Sequence, residues 1–181
     1  MCSQYTYTRN EAKLRLRDLI HIFGIVARAK IRPTDLGPVI LPQHESFTCQ
    51  DLRWGWSVPW DKSPLINAKS ETLTTLPTFQ SHLNQRCLLL ADGFYEKGVR
   101  FHQPGHAPFC LAGLFRKEAD ANRYTMLTTA PNATVAKYHD RMPFILRPEQ
   151  YDAWLGEAWQ AVLTAPDHSP LEKFEKQPEL F

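Results

Sequence analysis

Cys2 is the residue with the most chemistry to offer. Removal of Met1, which a small second residue permits, would leave a chain beginning with cysteine and place an amine and a thiol on one residue. Their ordinary pKa values, about 7.7 to 8.0 and about 8.5, leave some of each group nucleophilic near neutral pH. A 1,2-aminothiol condenses with an aldehyde in two steps. Nitrogen forms an imine, then sulfur closes a five-membered thiazolidine that is less labile than an open Schiff base. A deoxyribose that has lost its base presents such an aldehyde.

That chemistry needs a group to open the sugar ring and expel water, and a second to move protons near neutral pH, tasks suited to a carboxylate and an imidazole. Glu96, at the end of Ala91-Asp92-Gly93-Phe94-Tyr95-Glu96, and His139, in Tyr138-His139-Asp140-Arg141, are the candidates. Taken singly, each is also an ordinary strand-end acid or surface histidine. Cys2, Cys49, Cys87 and Cys110 form no C-x-x-C pair, so neither a disulfide framework nor a thiolate zinc site is expected. His102 and His106 have helical ligand spacing, but Pro104 and Gly105 lie between them, so the stretch reads as a loop and no metal site is expected.

These groups must be positioned by elements read from periodicity. Apolar runs at 39–41, 87–91, 109–114, 124–129 and 142–146, bounded by Pro, Gly, Asp or Asn, predict buried strands. Thr8-Arg9-Asn10-Glu11 has capping-box spacing and predicts a helix carrying Leu14, Leu19 and Ile20 inward. Pro148 predicts the start of a last helix with Tyr151, Trp154 and Leu155 on one face, stopped by Gly156. The expected fold is α+β: a single domain over 1–163 with a mixed sheet or partial barrel and a few flanking helices. From Thr164 the prolines and alternating Lys and Glu predict a mobile tail, 164–181.

Composition narrows the classes. With 181 residues, 43% of them hydrophobic, the chain can bury one core. No apolar run approaches the roughly 20 residues of a membrane span, so a cytoplasmic protein, a monomer without cofactor or membrane partner, is expected. There is no Gly-rich phosphate loop, nucleophile elbow or H-E-x-x-H motif. Net charge is only +2, yet Arg9, Lys13, Arg15, Arg17, Arg28, Lys30 and Arg32 face only Glu11 and Asp18 in the same stretch, a local +5 that could meet phosphates or be a solvated face.

Several motifs in order resemble the SRAP (SOS response-associated peptidase) family: Met1-Cys2, Arg32-Pro33-Thr34, Trp54-Gly55-Trp56-Ser57-Val58-Pro59-Trp60, Asn67-Ala68-Lys69-Ser70-Glu71-Thr72, Arg86-Cys87 through Glu96, Ala112-Gly113-Leu114, Leu127-Thr128-Thr129-Ala130-Pro131-Asn132, and His139-Asp140-Arg141-Met142-Pro143 through Leu146. Together they cover about residues 1–156. The resemblance implies a sensor of abasic sites that forms a thiazolidine DNA–protein crosslink through Cys2, in single-stranded or junction DNA and therefore at the nucleoid when bound. It places a polar orienting group at Asn67, the acid/base at Glu96 and the proton shuttle at His139. Trp60 is implied near the DNA, and Arg141 and Lys69 as phosphate contacts; the positive charges of Lys97 and of Arg32, in the basic run, are expected as further DNA contacts.

Departures from the family pattern are Ser3 and Gln4 where a basic residue would follow the cysteine, Lys69 in place of arginine, and Lys97 in place of tryptophan. Lysine cannot make arginine's planar bidentate phosphate contact, so DNA affinity should be weaker or differently distributed. Two other readings stay open: a thiol peptidase or autopeptidase using Cys2, and a non-covalent reader of single-stranded or modified DNA. Gln177, Leu180 and Phe181 are spaced as in short peptides that dock on the bacterial sliding clamp, an expected partner for the tail.

Overall fold

A computed structural model of the chain describes residues 2–16, 18–44 and 46–174. The strands are β1 (Tyr5–Tyr7), β2 (Glu11–Leu16), β3 (Asp18–Phe23), β4 (Arg28–Ile31), β5 (Leu36–Gln43), β6 (Ser46–Trp54), β7 (Trp56–Val58), β8 (Asp61–Leu65) and β9 (Asn67–Lys69). Helix α1 (Pro77–Gln80) precedes β10 (Arg86–Ala91), β11 (Gly93–Glu96), β12 (Val99–His102), β13 (Phe109–Lys117), β14 (Asn122–Thr129), β15 (Met142–Pro143) and β16 (Ile145–Leu146). Helices α2 (Tyr151–Leu155) and α3 (Trp159–Leu163) and strand β17 (Glu172–Phe174) follow. The fold is α+β and strand-dominated, as the sequence led us to expect.

The larger sheet has eight strands and is mixed. Its path runs β15-β14-β6-β5-β10-β13-β16, with β9 pairing parallel to β14. The five expected apolar runs all lie here, and they carry side chains for two faces. In β10, Leu88 and Leu90 enter one core while Cys87, Leu89 and Ala91 enter another. Every residue of this strand is buried, which is why it reads as a continuous apolar run. The first core is closed by α2, α3 and β2. The second lies against a five-stranded sheet of order β17-β12-β11-β1-β4, and Cys2 is part of it.

Two expectations need correction. Residues from Thr8 do not form a helix: β2 and β3 make an antiparallel hairpin, Leu14 opposite Ile20. In β2 Ala12, Leu14 and Leu16 are buried and Glu11, Lys13 and Arg15 exposed, an alternation of period two that only a strand can satisfy. The stretch after Thr164, expected to be mobile, is packed through residue 174. Leu171 is buried, Asn132 donates to the Ser169 carbonyl (2.8 Å), and β17 pairs with β12. Gln177, Leu180 and Phe181 lie outside the described residues. The predicted last helix forms, with Tyr151 and Trp154 buried and Gly156 at its end.

Candidate active site

Strand β1 delivers Cys2, and its register is fastened by Asp92. Asp92 accepts hydrogen bonds from Thr6 Oγ1 (2.5 Å), Thr8 N (2.7 Å) and Thr8 Oγ1 (2.6 Å), and pairs with Arg100 (3.1 Å). Burial alone would raise this carboxyl, but those donors outweigh it and leave it below its ordinary range. The backbone N–H of Asp92 donates to the Thr6 carbonyl and that of Tyr95 to the Gln4 carbonyl, both at 2.9 Å. The same β1–β11 register, Tyr5 opposite Phe94, carries the N-terminal residues toward Glu96 at the end of β11. Lys97 and Gly98 both have positive φ and form the two-residue turn that pairs Glu96 with Val99.

Beneath β1 the Tyr5 and Tyr124 hydroxyls share a hydrogen bond of 2.6 Å, and Trp54 stacks on Tyr124. Gly37 makes this close approach possible, because a Cβ there would strike both hydroxyls.

Cys2 is fully buried, with its thiol donating to the Gln4 carbonyl (3.4 Å). From the opposite sheet Asn67 Nδ2 donates to the Cys2 carbonyl at 2.9 Å. Asn67 is itself buried, and among the described residues neither its Oδ1 nor the buried Oε1 of Glu96 has a hydrogen-bond donor. Burial, reinforced by the nearby Glu96 carboxylate, pushes the Cys2 thiol up to about 12. Reference values at the sequence level had suggested an ordinary thiol; desolvation is what that estimate lacked. Glu96 is likewise raised, first by burial, with His139 and Lys97 opposing the rise and Asp140 adding to it.

The structure thus brings together Cys2, Asn67 and Glu96, with His139 near enough to act on Glu96 electrostatically. His139 lies at the end of the loop before β15, its Nδ1 2.9 Å from Asp140 Oδ1 and 3.0 Å from the Arg141 backbone N. The other expected contacts are dispersed. Lys69 is exposed at the end of β9, and Arg32 is exposed just past β4, where Ile31 pairs with Tyr5. Trp60 is 67% exposed in the β7–β8 turn, unlike the fully buried Trp54 and Trp56, at the far end of β8 from Asn67.

Arg141 differs most from expectation, because its guanidinium is already engaged. It makes a two-point pair with Glu71 (2.7 and 2.9 Å) and donates to the Thr128 carbonyl (2.6 Å). The basic stretch also divides. Arg28 is paired with Asp51 and Arg9 donates to the His106 carbonyl, while Lys13 and Arg15 lie on β2, beyond the end of β1 opposite Cys2. Asp92 and Glu71 escaped sequence reasoning. Each works through a partner distant in the chain, and neither spacing nor composition marks it. Among the described residues no group of three or more His, Cys, Asp or Glu could hold a metal, and no helix is long and apolar enough to cross a membrane.

The family model described as SOS response associated peptidase (SRAP) matches residues 1–177. The abasic site processing protein YoaM of Bacillus subtilis is 36% identical over 124 residues, 58% of this chain and 55% of that protein. Its Escherichia coli namesake YedK, also called an abasic site processing protein, is 26% identical over 153 residues, 77% of this chain and 69% of that one. The match therefore spans about half the length of the Bacillus relative. A solved Bordetella bronchiseptica protein superposes with a TM-score of 0.76 at 24% identity, covering 98% of this chain and all of that one. A phage-related protein of the same organism gives 0.78 at 22%, covering 99% and 96%. At those identities the structures speak for the fold alone. With the motifs in order, a family match along nearly its whole length and the fold to go with it, the chain belongs to the SRAP family.

Proposed function

We propose that the protein, once Met1 is released, captures abasic sites in single-stranded or junction DNA by forming a thiazolidine between Cys2 and the sugar aldehyde. The observation that carries this reading is the surroundings of Cys2: a backbone held by Asn67, and two buried oxygens, Asn67 Oδ1 and Glu96 Oε1, that lack donors among the described residues. Buried acceptors without donors are costly, about 1–3 kcal/mol each. An α-amine freed by loss of Met1 would supply N–H groups to such oxygens, and so would a ring-opened sugar.

The chemistry follows from the raised groups. Glu96, raised by burial, would act as the acid: it would donate to the ring oxygen as the sugar opens, recover a proton from the attacking amine, and donate again to the hydroxyl that leaves as water. The amine of Cys2 attacks C1′, and loss of water gives the iminium. The thiol then attacks the same carbon. Because burial keeps it protonated, sulfur must lose its proton as the C–S bond forms, and Glu96 or His139 takes it. The net change is aldehyde plus aminothiol to thiazolidine plus one water. Exposed Lys69, Lys97 and Arg32 would meet phosphates, and Trp60 would stack on a base for about 1–3 kcal/mol.

A thiol peptidase is less well supported. It calls for a thiolate stabilised by an imidazolium, whereas this thiol is raised by burial and by a carboxylate. The test is incubation with a uracil-containing single strand treated with uracil glycosylase. A product that survives heat and detergent without borohydride, absent with Cys2→Ala, is expected. Equal retention of undamaged DNA by both proteins, without a covalent product, would favour a non-covalent reader instead.

A further inference from the structure

Two contacts compete for one nitrogen of His139. Its Nδ1 is 3.0 Å from the Arg141 backbone N and 2.9 Å from Asp140 Oδ1. An amide N–H can only donate to the Nδ1 lone pair, which puts the proton of a neutral ring on Nε2. A carboxylate can only accept from Nδ1–H, which requires the other tautomer or the imidazolium. The two contacts cannot be made in full together, so whatever fixes the Arg141 amide biases the ring.

That amide is fixed by its own side chain. Both ends of the guanidinium are engaged by Glu71, and Nη2 also reaches the Thr128 carbonyl (2.6 Å) and hydroxyl (3.2 Å). The Arg141 side chain is only 14% exposed, whereas Asp140, the competitor, is 87% exposed and well hydrated. Bidentate Arg–carboxylate pairs are the most geometrically specific of the charge-assisted hydrogen bonds. Glu71 itself sits in the 3-10 turn Ser70–Thr72 that directly follows β9, the strand bearing Asn67. One ion pair thus braces the two loops that carry Asn67 and His139.

We propose that Glu71 is a positioning residue: acting through Arg141, it holds that backbone amide against His139 Nδ1 and so keeps the imidazole proton on Nε2. The ring then presents an Nε2–H hydrogen bond, and a proton it gains goes to Nδ1, where Asp140 can accept the new N–H. Among the described residues, charged groups that bear on this proton include Glu96 on β11, Asp140 and Arg141 beside the ring, Glu71 through Arg141, and Lys173 of β17 at the neighbouring Tyr138. The link to catalysis rests on the function proposed above, while the link to the tautomer does not.

The experiment is histidine-selective 15N NMR of the full chain with and without Glu71→Gln or Asp140→Asn, alongside the pH profile of crosslinking to an abasic single strand. In wild type His139 Nδ1 should show the shift of an unprotonated ring nitrogen. Glu71→Gln should move it toward the Nδ1-protonated form and slow crosslinking roughly tenfold. Asp140→Asn, at an exposed position that should not disturb folding, should keep the proton on Nε2 and leave Nδ1 with the shift of an unprotonated nitrogen. An unchanged His139 spectrum in Glu71→Gln overturns the proposal, as does a move of Nδ1 toward the protonated form in Asp140→Asn. If Glu71→Gln instead only tightens binding to undamaged DNA, Glu71 is a competitor for phosphate and not a brace. Failure of wild type to crosslink would count against the function alone, because the NMR result stands without it.

Discussion

A buried carboxyl oxygen without a donor costs stability in proportion to how often its group is charged, and among the described residues Oε1 of Glu96 is such an oxygen. Its pKa is raised in the fold, so folding favours its protonated form. The contribution is fully present below the unfolded value, about 4.3, and is lost as pH rises through the higher folded value. Glu96→Gln should therefore stabilise the protein at neutral pH, on the order of 1 kcal/mol, and the gain should vanish near pH 4 in urea titrations. Crosslinking should fall sharply in the same variant, since the amide cannot carry the proton. A variant that is both less stable and fully active would show that Glu96 is an ordinary structural acid. At this scale residue type and motif order single out Cys2, Asn67, Glu96 and His139, and the fold brings the first three together with His139 near Glu96. The state of the Cys2 thiol was not legible, because desolvation depends on what the opposite sheet places over it.

Strand β1 is short, three residues, and the side chain of Asp92 adds to the pairing with β4 and β11 that sets its register. Asp92 is the opposite case to Glu96: its lowered pKa gives stability that is present above the unfolded value, about 3.9, and lost as pH falls through the folded one. Asp92→Asn should cost about 1–3 kcal/mol at neutral pH, and its difference from wild type should shrink in acid. Crosslinking should weaken as Cys2 loses its register; equal stability at neutral pH would mean that the Thr6 and Thr8 contacts contribute little. The buried strands were legible as elements because continuous apolar runs need both faces covered. The β2–β3 hairpin was not. Thr8-Arg9-Asn10-Glu11 matches the spacing of a helix cap, but Ala12, Leu14 and Leu16 alternate with Glu11, Lys13 and Arg15, and that longer pattern decided the outcome. Likewise the composition after Thr164 suggested a free tail, and the buried Leu171 with the pairing of β17 to β12 shows how few apolar residues suffice to dock one.

On the scale of the molecule, a net charge of +2 leaves DNA binding to local clusters. By register, Arg32 lies toward the Cys2 end of β1 and Lys69 two residues beyond Asn67, while Lys13 and Arg15 belong to the hairpin past the other end. Arg32→Gln and Lys69→Gln should each flatten the dependence of log Kd on log salt by about 0.7, the single-strand value for one phosphate. Lys13→Gln and Arg15→Gln should leave it unchanged, and the reverse pattern would move the DNA path to the hairpin. The two-sheet arrangement places Cys2 in the core between the sheets, and under the proposed function this favours an aldehyde carried on a strand free to bend.

The claim on which all of this depends is that an unblocked Cys2 aminothiol closes a ring on the abasic sugar, and intact mass spectrometry of the protein after incubation with an abasic single strand reads it directly. The expected species is the chain without Met1 plus the oligonucleotide less one water, absent with Cys2→Ala. A chain that keeps Met1 and gains no mass, or an adduct that persists in Cys2→Ala, would contradict it.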